Sequence, residues 1–199
     1  MITVTKNYTD VIHRVMTYCV KMPIQGWKLK LRRKWYGEDT LFEFDIKGRG
    51  DSDCVRYKVT RRSVSGWVVY FEVAPMSENL SIQKTGALSV TEAELMASVS
   101  CVKYMLYARR ILIPLELKFK FLMIIEIDNK GAVYLINNWI MGGINRHIET
   151  CQFFLRYMKE QGIFQATFIS GDENEVGFFA KNLPSSLFEN HLVKLNGEE

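Results

Sequence analysis

The sequence is poor in the residues that build disulfide frameworks and histidine metal cages. Its four cysteines, Cys19, Cys54, Cys101 and Cys151, stand far apart, with no Cys-x-x-Cys pair. That spacing argues against a zinc ribbon or a stapled secreted scaffold and reads as reduced, partly buried thiols of an intracellular protein. The three histidines, His13, His147 and His191, are equally dispersed, which leaves a histidine cage without ligands. No apolar run approaches the ~20 residues that cross a bilayer. The opening Met1-Ile2-Thr3-Val4-Thr5-Lys6 lacks the charged segment and apolar stretch of a signal peptide. Repeats, linkers and low-complexity segments are missing too. The expectation is an intracellular chain, cytoplasmic or nuclear, with no membrane partner.

What is present suits a packed domain. The 199 residues fit one domain or a domain with an appendage, and 48% hydrophobic content supplies a core. A net charge of +4 permits nucleic-acid binding without demanding it. Residues 9–21 carry apolar positions at helical spacing (Val11, Ile12, Val15, Met16, Cys19), closed by Pro23 and Gly26. Lys28, Lys30, Arg32, Arg33 and Lys34 line a stretch that alternates basic with apolar, the pattern of a strand with one positive face. Such a face supplies sequence-independent phosphate contacts, or is an ordinary edge strand blunted by lysines.

Phe42 to Lys47 alternates and leads towards Asp51; Gly66 to Val73 is the strongest strand by β-branched and aromatic content, and a short strand near Ser81 to Lys84 pairs with it. The period then changes. Thr91 to Ile111 predicts a long helix capped by Ser89 or Thr91. Leu122 to Ile127 reads as an apolar strand buried on both faces. Helices follow at 131–138 and 146–161, a strand at 164–169 and a last helix at 174–181. Three antiparallel strands followed by alternating helices and strands predict an α/β fold with a mixed sheet of about five strands. Tyr104, Tyr107, Phe153 and Phe154 fall at helical spacing and are expected in the core.

Three carboxylates carry the chemistry. Asp51 lies in Gly50-Asp51-Ser52-Asp53, Glu94 near the start of the long helix, and Asp128 after the apolar strand. Carboxylates distant in sequence but convergent in space are what a two-metal phosphodiesterase site requires, because hard divalent ions take oxygen ligands. Each alone also admits a plainer reading: a turn aspartate, a solvated first-turn glutamate and a helix cap.

The motifs Arg61-Arg62-Ser63-Val64-Ser65-Gly66, Ala87-Leu88-Ser89-Val90-Thr91-Glu92-Ala93-Glu94, Asp128-Asn129-Lys130-Gly131-Ala132, Arg146-His147-Ile148 and Gly171-Asp172-Glu173-Asn174-Glu175 occur in that order. Together, over roughly residues 8 to 195, the chain resembles the ribonuclease H domain at the C-terminal end of copia-type retrotransposon polyproteins. The resemblance implies a ribonuclease H-like fold for residues 41–199, with 1–40 a remnant of the connection to the polymerase. It implies that Asp51, Glu94 and Asp128 are catalytic and hold two Mg²⁺ ions, with Mn²⁺ as a substitute, to hydrolyse the RNA strand of an RNA:DNA hybrid. The polymerase part of a retroelement polyprotein is the implied protein partner.

The departures are equally specific. The family's last motif runs Gly-Asp-Glu-Asn-Glu-Ala-Asp, whereas this chain has Gly171-Asp172-Glu173-Asn174-Glu175-Val176-Gly177. Gly177 thus stands where the fourth catalytic aspartate belongs, and Glu173 is a poor substitute. A family tryptophan-lysine pair is replaced by Glu78-Asn79, and Cys54 stands at an aromatic position. Polymerase Tyr-x-Asp-Asp, protease Asp-Thr/Ser-Gly and zinc-knuckle motifs are missing, so this chain alone is not a reverse transcriptase. The resemblance therefore implies an impaired ribonuclease H; a non-catalytic nucleic-acid-binding module and a retroelement relic are the alternatives.

Overall fold

In the computed structural model, residues 42–54, 62–138 and 146–177 are described, with single positions (13, 16, 17, 20, 186 and 191) outside them. Of the predicted helix at 9–21 only His13, Met16, Thr17 and Val20 are described, each in helical conformation, and the basic stretch at 28–34 and the end of the predicted last helix lie outside the described residues.

Alternation sets the first strands. Phe42, Phe44 and Ile46 are buried while Glu43 is exposed, but the continuous ladder starts at Ile46; Phe44 makes an isolated bridge to Phe119. Strand β1 (Ile46–Asp53) pairs antiparallel with β2 (Val64–Phe71), which pairs antiparallel with β3 (Ala74–Ile82). The third strand is longer than the predicted stub at 81–84, because Ala74 and Pro75 join the pairing directly after a two-residue turn at Glu72-Val73. Glu72 holds a left-handed φ of 58° there. Asp45 secures it, since the Glu72 amide donates to the Asp45 carbonyl and the Asp45 amide donates to Glu72 Oε1 at 2.9 Å.

Helix α1 (Val90–Leu112) begins where Ser89 Oγ accepts from the Glu92 amide at 3.2 Å, and Glu92 Oε2 accepts from the Leu88 amide at 2.6 Å. These contacts satisfy two amides at the helix start. Glu92 is therefore a half-exposed capping residue. A 3₁₀ turn (Ile113–Leu115) ends the helix, and β4 (Met123–Ile127), α2 (Lys130–Asn137), α3 (Arg146–Glu160) and β5 (Phe164–Phe168) complete the described elements. The sheet order is β3-β2-β1-β4-β5, with β4 parallel to both β1 and β5. The predicted mixed five-stranded sheet is the one observed.

The main core lies between the sheet and the three helices. Ile46, Trp67, Val69, Met123, Ile125 and Ile127 meet Leu95, Val102, Met105, Ile136 and Leu155 there. Each such side chain, fully buried, contributes ~1.5–3 kcal/mol. Strand β4 is not buried on both faces as expected: Met123, Ile125 and Ile127 are buried, whereas Ile124 and Glu126 are half-buried. The charge of Glu126 is matched on that second face by Lys47 at 2.5 Å and Arg49 at 2.7 Å. Val68, Tyr70 and Val176 form a small apolar cluster on the same side.

Tyr107 and Phe153, placed in the core by their spacing, are instead 57% and 61% exposed. Tyr104 leans on Trp67 (4.8 Å between rings) and Tyr107 (5.8 Å). With Asn79, Ser100 and Lys103 these rings line a shallow groove at the edge of the core, to which Trp67 belongs and against which Tyr104 packs. Helical spacing identified a common face without revealing how far the sheet reaches beneath it.

Helix α1 approaches β1 at a point where no side chain fits. A Cβ on Gly48 would lie 2.6 Å from both Cys101 Sγ and Met105 Sδ, whereas one on Gly50 would lie 3.9 Å from the nearest atom. Gly48→Ala is therefore expected to destabilise the fold by about 1–3 kcal/mol, and Gly50→Ala by clearly less. Urea denaturation of the two variants against the parent measures the difference.

Candidate metal centre

The parallel pairing of β1 with β4 places two carboxylates side by side. Gly50 is in register with Ile127, so Asp51 and Asp128 each follow one residue beyond the last matched pair. Neighbouring strands lie ~4.8 Å apart, which brings the two side chains to one end of the sheet. Glu94 arrives from the start of α1, whose Ala97 and Ser98 backbone packs over Gly50. One carboxylate oxygen from each of Asp51, Glu94 and Asp128 lies within 4.8 Å of the others. The three residues singled out from sequence thus meet in space.

Burial removes the plainer readings. Asp51 is fully buried inside β1 rather than in a turn, and Glu94 is only 2% exposed rather than solvated. Nor is Asp128 the helix cap. Asn129 has that task, its Oδ1 accepting from the Ala132 amide at 2.8 Å. The first turns of α1 and α2 both adjoin the cluster, and the positive ends of their dipoles favour negative charge there.

Ser52 orients the third carboxylate. Its amide and its hydroxyl both donate to Glu94 Oε1, at 3.0 and 2.8 Å. Glu94 Oε2 is buried with no hydrogen-bond partner. A buried carboxylate oxygen left without a donor is costly, and it suits a cation. The donor set also suits the ion: three carboxylates, no thiol and no imidazole match a hard divalent cation such as Mg²⁺ or Mn²⁺. The residues present therefore fit a divalent metal. No sequence motif marks Ser52 for this role, although its position directly after Asp51 puts it on the opposite face of β1, towards α1.

Positions outside the cluster divide clearly. Glu173 is exposed in a turn and is not part of the acidic group. Residues 171–176 form turns rather than the start of the predicted helix, and Gly177 is the first helical position of that segment. Gly177 is buried, its amide donating to the Asn174 carbonyl at 3.1 Å, and it brings no side-chain oxygen. Lys28, Lys30, Arg32, Arg33 and Lys34 lie outside the described residues. Of the cysteines, Cys54, Cys101 and Cys151 are free thiols, as their spacing implied. Among the described residues no helix is long and apolar enough to cross a membrane.

Burial, followed by the charges of Asp51 and Asp128, raises the Glu94 pKa to about 8, the Ser52 hydrogen bonds offsetting part of the rise. An unfolded glutamate titrates near 4.5, so the folded chain holds a proton that the unfolded chain has released between those values. Stability supplied by that proton is complete below about pH 4.5 and is lost as pH rises through about 8. In EDTA, Tm is expected to fall across that window, and Glu94→Gln to flatten the fall. A Mn²⁺ ion bound at this cluster would displace the proton, so its affinity is expected to climb over the same range; calorimetry in buffers of different ionisation heat measures the proton released.

Comparison with known proteins places this geometry. No protein-family model matches the chain. It is 29% identical over 166 residues, 82% of its length, to the retrovirus-related Pol polyprotein from transposon TNT 1-94 of Nicotiana tabacum. It is 25% identical over 191 residues, 96% of its length, to that from transposon RE1 of Arabidopsis thaliana. The chain spans 12% of the length of each of these relatives. Among solved structures it is similar to LC11-RNase H1, isolated from compost, with a TM-score of 0.50, 13% identity, and coverage of 75% of this chain and 96% of that one. That likeness speaks to the fold. The chain is homologous over most of its length to the Pol polyproteins of copia-type retrotransposons, and its fold is ribonuclease H-like.

Proposed function

We propose that this chain is the ribonuclease H part of a retrotransposon Pol polyprotein, built for metal-dependent hydrolysis of the RNA strand in an RNA:DNA hybrid and impaired by Gly177. The observation that carries this reading is the convergence of Asp51, Glu94 and Asp128 at one end of a ribonuclease H-like sheet. Asp51 within β1 and Asp128 directly after β4 are two ligands, and Glu94 is the ligand that Ser52 holds in one orientation. Divalent ions bound there supply an activated water and stabilise the leaving 3′ oxygen. The protein's own part is to hold three oxygens close, to exclude water from Asp51 and Glu94, and to keep Glu94 ready to give up its proton when a cation arrives.

Aligned without a gap to the family motif, Gly177 occupies the position of a fourth carboxylate. Its loss lowers the negative charge of the site and removes one oxygen ligand, which weakens metal binding and slows the reaction. The basic residues Lys28, Lys30, Arg32, Arg33 and Lys34 are proposed to contact hybrid phosphates, and the polymerase part of the polyprotein is the proposed neighbour.

Cleavage of a labelled RNA:DNA hybrid in Mg²⁺ and in Mn²⁺ tests the chemistry. Gly177→Asp is expected to cut at least ~100-fold faster than the parent, equivalent to about 3 kcal/mol of barrier, and Asp128→Asn to be silent. A parent that cuts as fast as Gly177→Asp would show that three carboxylates suffice. Failure of every folded version would leave a nucleic-acid-binding module in place of an enzyme. For the basic stretch, replacing all five residues by alanine is expected to flatten the plot of log affinity for hybrid against log salt, by up to roughly 4 in slope. An unchanged slope would remove these residues from the interface.

A further inference from the structure

Residues 171–176 touch the metal centre and the strands around it at four points. A Cβ on Gly171 would lie 3.5 Å from Asp128 Oδ2, so the chain passes directly against that carboxylate. Asn174 is 1% exposed, and its Nδ2 donates to the Gly50 carbonyl at 3.0 Å, one residue before Asp51. Its Oδ1 accepts from the Val176 amide at 3.3 Å, and its carbonyl accepts from the Gly177 amide, which closes the turn. Glu175, 6% exposed, is paired with Arg49, two residues before Asp51. Arg49 is held from its other side by Glu126 at 2.7 Å, two residues before Asp128. Val176 then seats against Val68 and Tyr70.

Apart from the Val176 contact, which falls on β2, these contacts converge on β1, which carries Asp51, and on β4 and the Asp128 that follows it. Gly50 and Arg49 lie on β1, Glu126 on β4, and Arg49 is the register partner of Glu126. A single guanidinium therefore ties together β1, β4 and the 171–177 segment. The Asn174 amide fastens the same segment to the peptide that leads into Asp51. Glu175 is buried, and Arg49 and Glu126 are largely shielded from water, so removing one partner leaves the others poorly compensated.

We propose that residues 171–177 are a latch that positions Asp51 and Asp128, with Asn174 and Glu175 as its two positioning residues. The proposal rests on the metal-centre reading above. Closed, the latch fixes the backbone ahead of Asp51 and confines the Asp128 carboxylate; open, both carboxylates gain freedom that an ion must then remove. Ion binding and latch closure consequently favour each other, and the coupling is reciprocal.

The test uses Mn²⁺ and the full chain. In the parent, saturating Mn²⁺ is expected to slow hydrogen exchange at the amides of residues 174, 176 and 177, although none of them is a ligand. Asn174→Ala and Glu175→Gln, each confirmed folded by circular dichroism, are expected to speed that exchange and to raise the Mn²⁺ Kd about tenfold, the effect of losing an outer-shell partner. If the parent binds Mn²⁺ but exchange at 171–177 does not respond, the latch is refuted while the metal centre stands. The latch is refuted in the same way if either folded variant frees the segment yet binds Mn²⁺ like the parent. If the parent and Asp128→Asn bind Mn²⁺ equally weakly, the metal centre is refuted and the latch with it.

Discussion

Parallel pairing of β1 with β4 is the constraint on which the rest of this structure depends. These strands are neighbours in the sheet but are separated in sequence by a hairpin and a 23-residue helix. Pairing them in the register Gly50 with Ile127 determines where Asp51 and Asp128 meet. A one-residue slip would carry one of the two to the opposite face. Two features hold the register: apolar residues at alternate positions of β4 facing the helices, and the Arg49–Glu126 ion pair on the other face. Helix α1 completes the arrangement because Gly48 lets it lie directly on β1, which delivers Glu94 to the same end of the sheet.

The two faces of the sheet have different physical characters. Between the sheet and the helices the core is apolar, and its energy comes from area removed from water. The second face mixes a small apolar cluster of Val68, Tyr70 and Val176 with a line of charges, Lys47, Glu126, Arg49 and Glu175. A charged line of this kind adds less net stability than an apolar layer, but it tolerates few alternative geometries. Burial on this side raises the Tyr70 pKa to about 12 despite the nearby Arg49. The more exposed Lys120–Asp45 pair, at 3.2 Å, is of the kind worth little.

The acidic cluster works by a related opposition. Three carboxylates packed together, two of them buried, repel one another; burial and that repulsion push the Glu94 pKa up to about 8, and two hydrogen bonds from Ser52 and two helix N-termini offset part of the charge. None of these neutralises the cluster as a divalent cation does. A site that is uncomfortable without a cation is well suited to bind one.

Much of this was legible in the amino-acid order. Alternation at 42–47 leading into β1, the β-branched and aromatic content of β2, a helix cap at Ser89 or Thr91, and Asp51, Glu94 and Asp128 in their motifs are local patterns, and local patterns are set by period, capping and turn chemistry. The sequence by itself therefore determined most of the elements, the mixed five-stranded sheet and which acidic residues to look for, though not the start of β3 or the turns at 171–176. It misled where packing decides: Tyr107 and Phe153 look like core residues and are exposed, and Glu126 sits in an apparently apolar strand. Tertiary structure alone decided that Glu94 is buried against Ser52, that Arg49 joins Glu126 to Glu175, and that Asn174 reaches Gly50. Those contacts span from 42 to 126 residues of chain, and no local period encodes a partner at such distance.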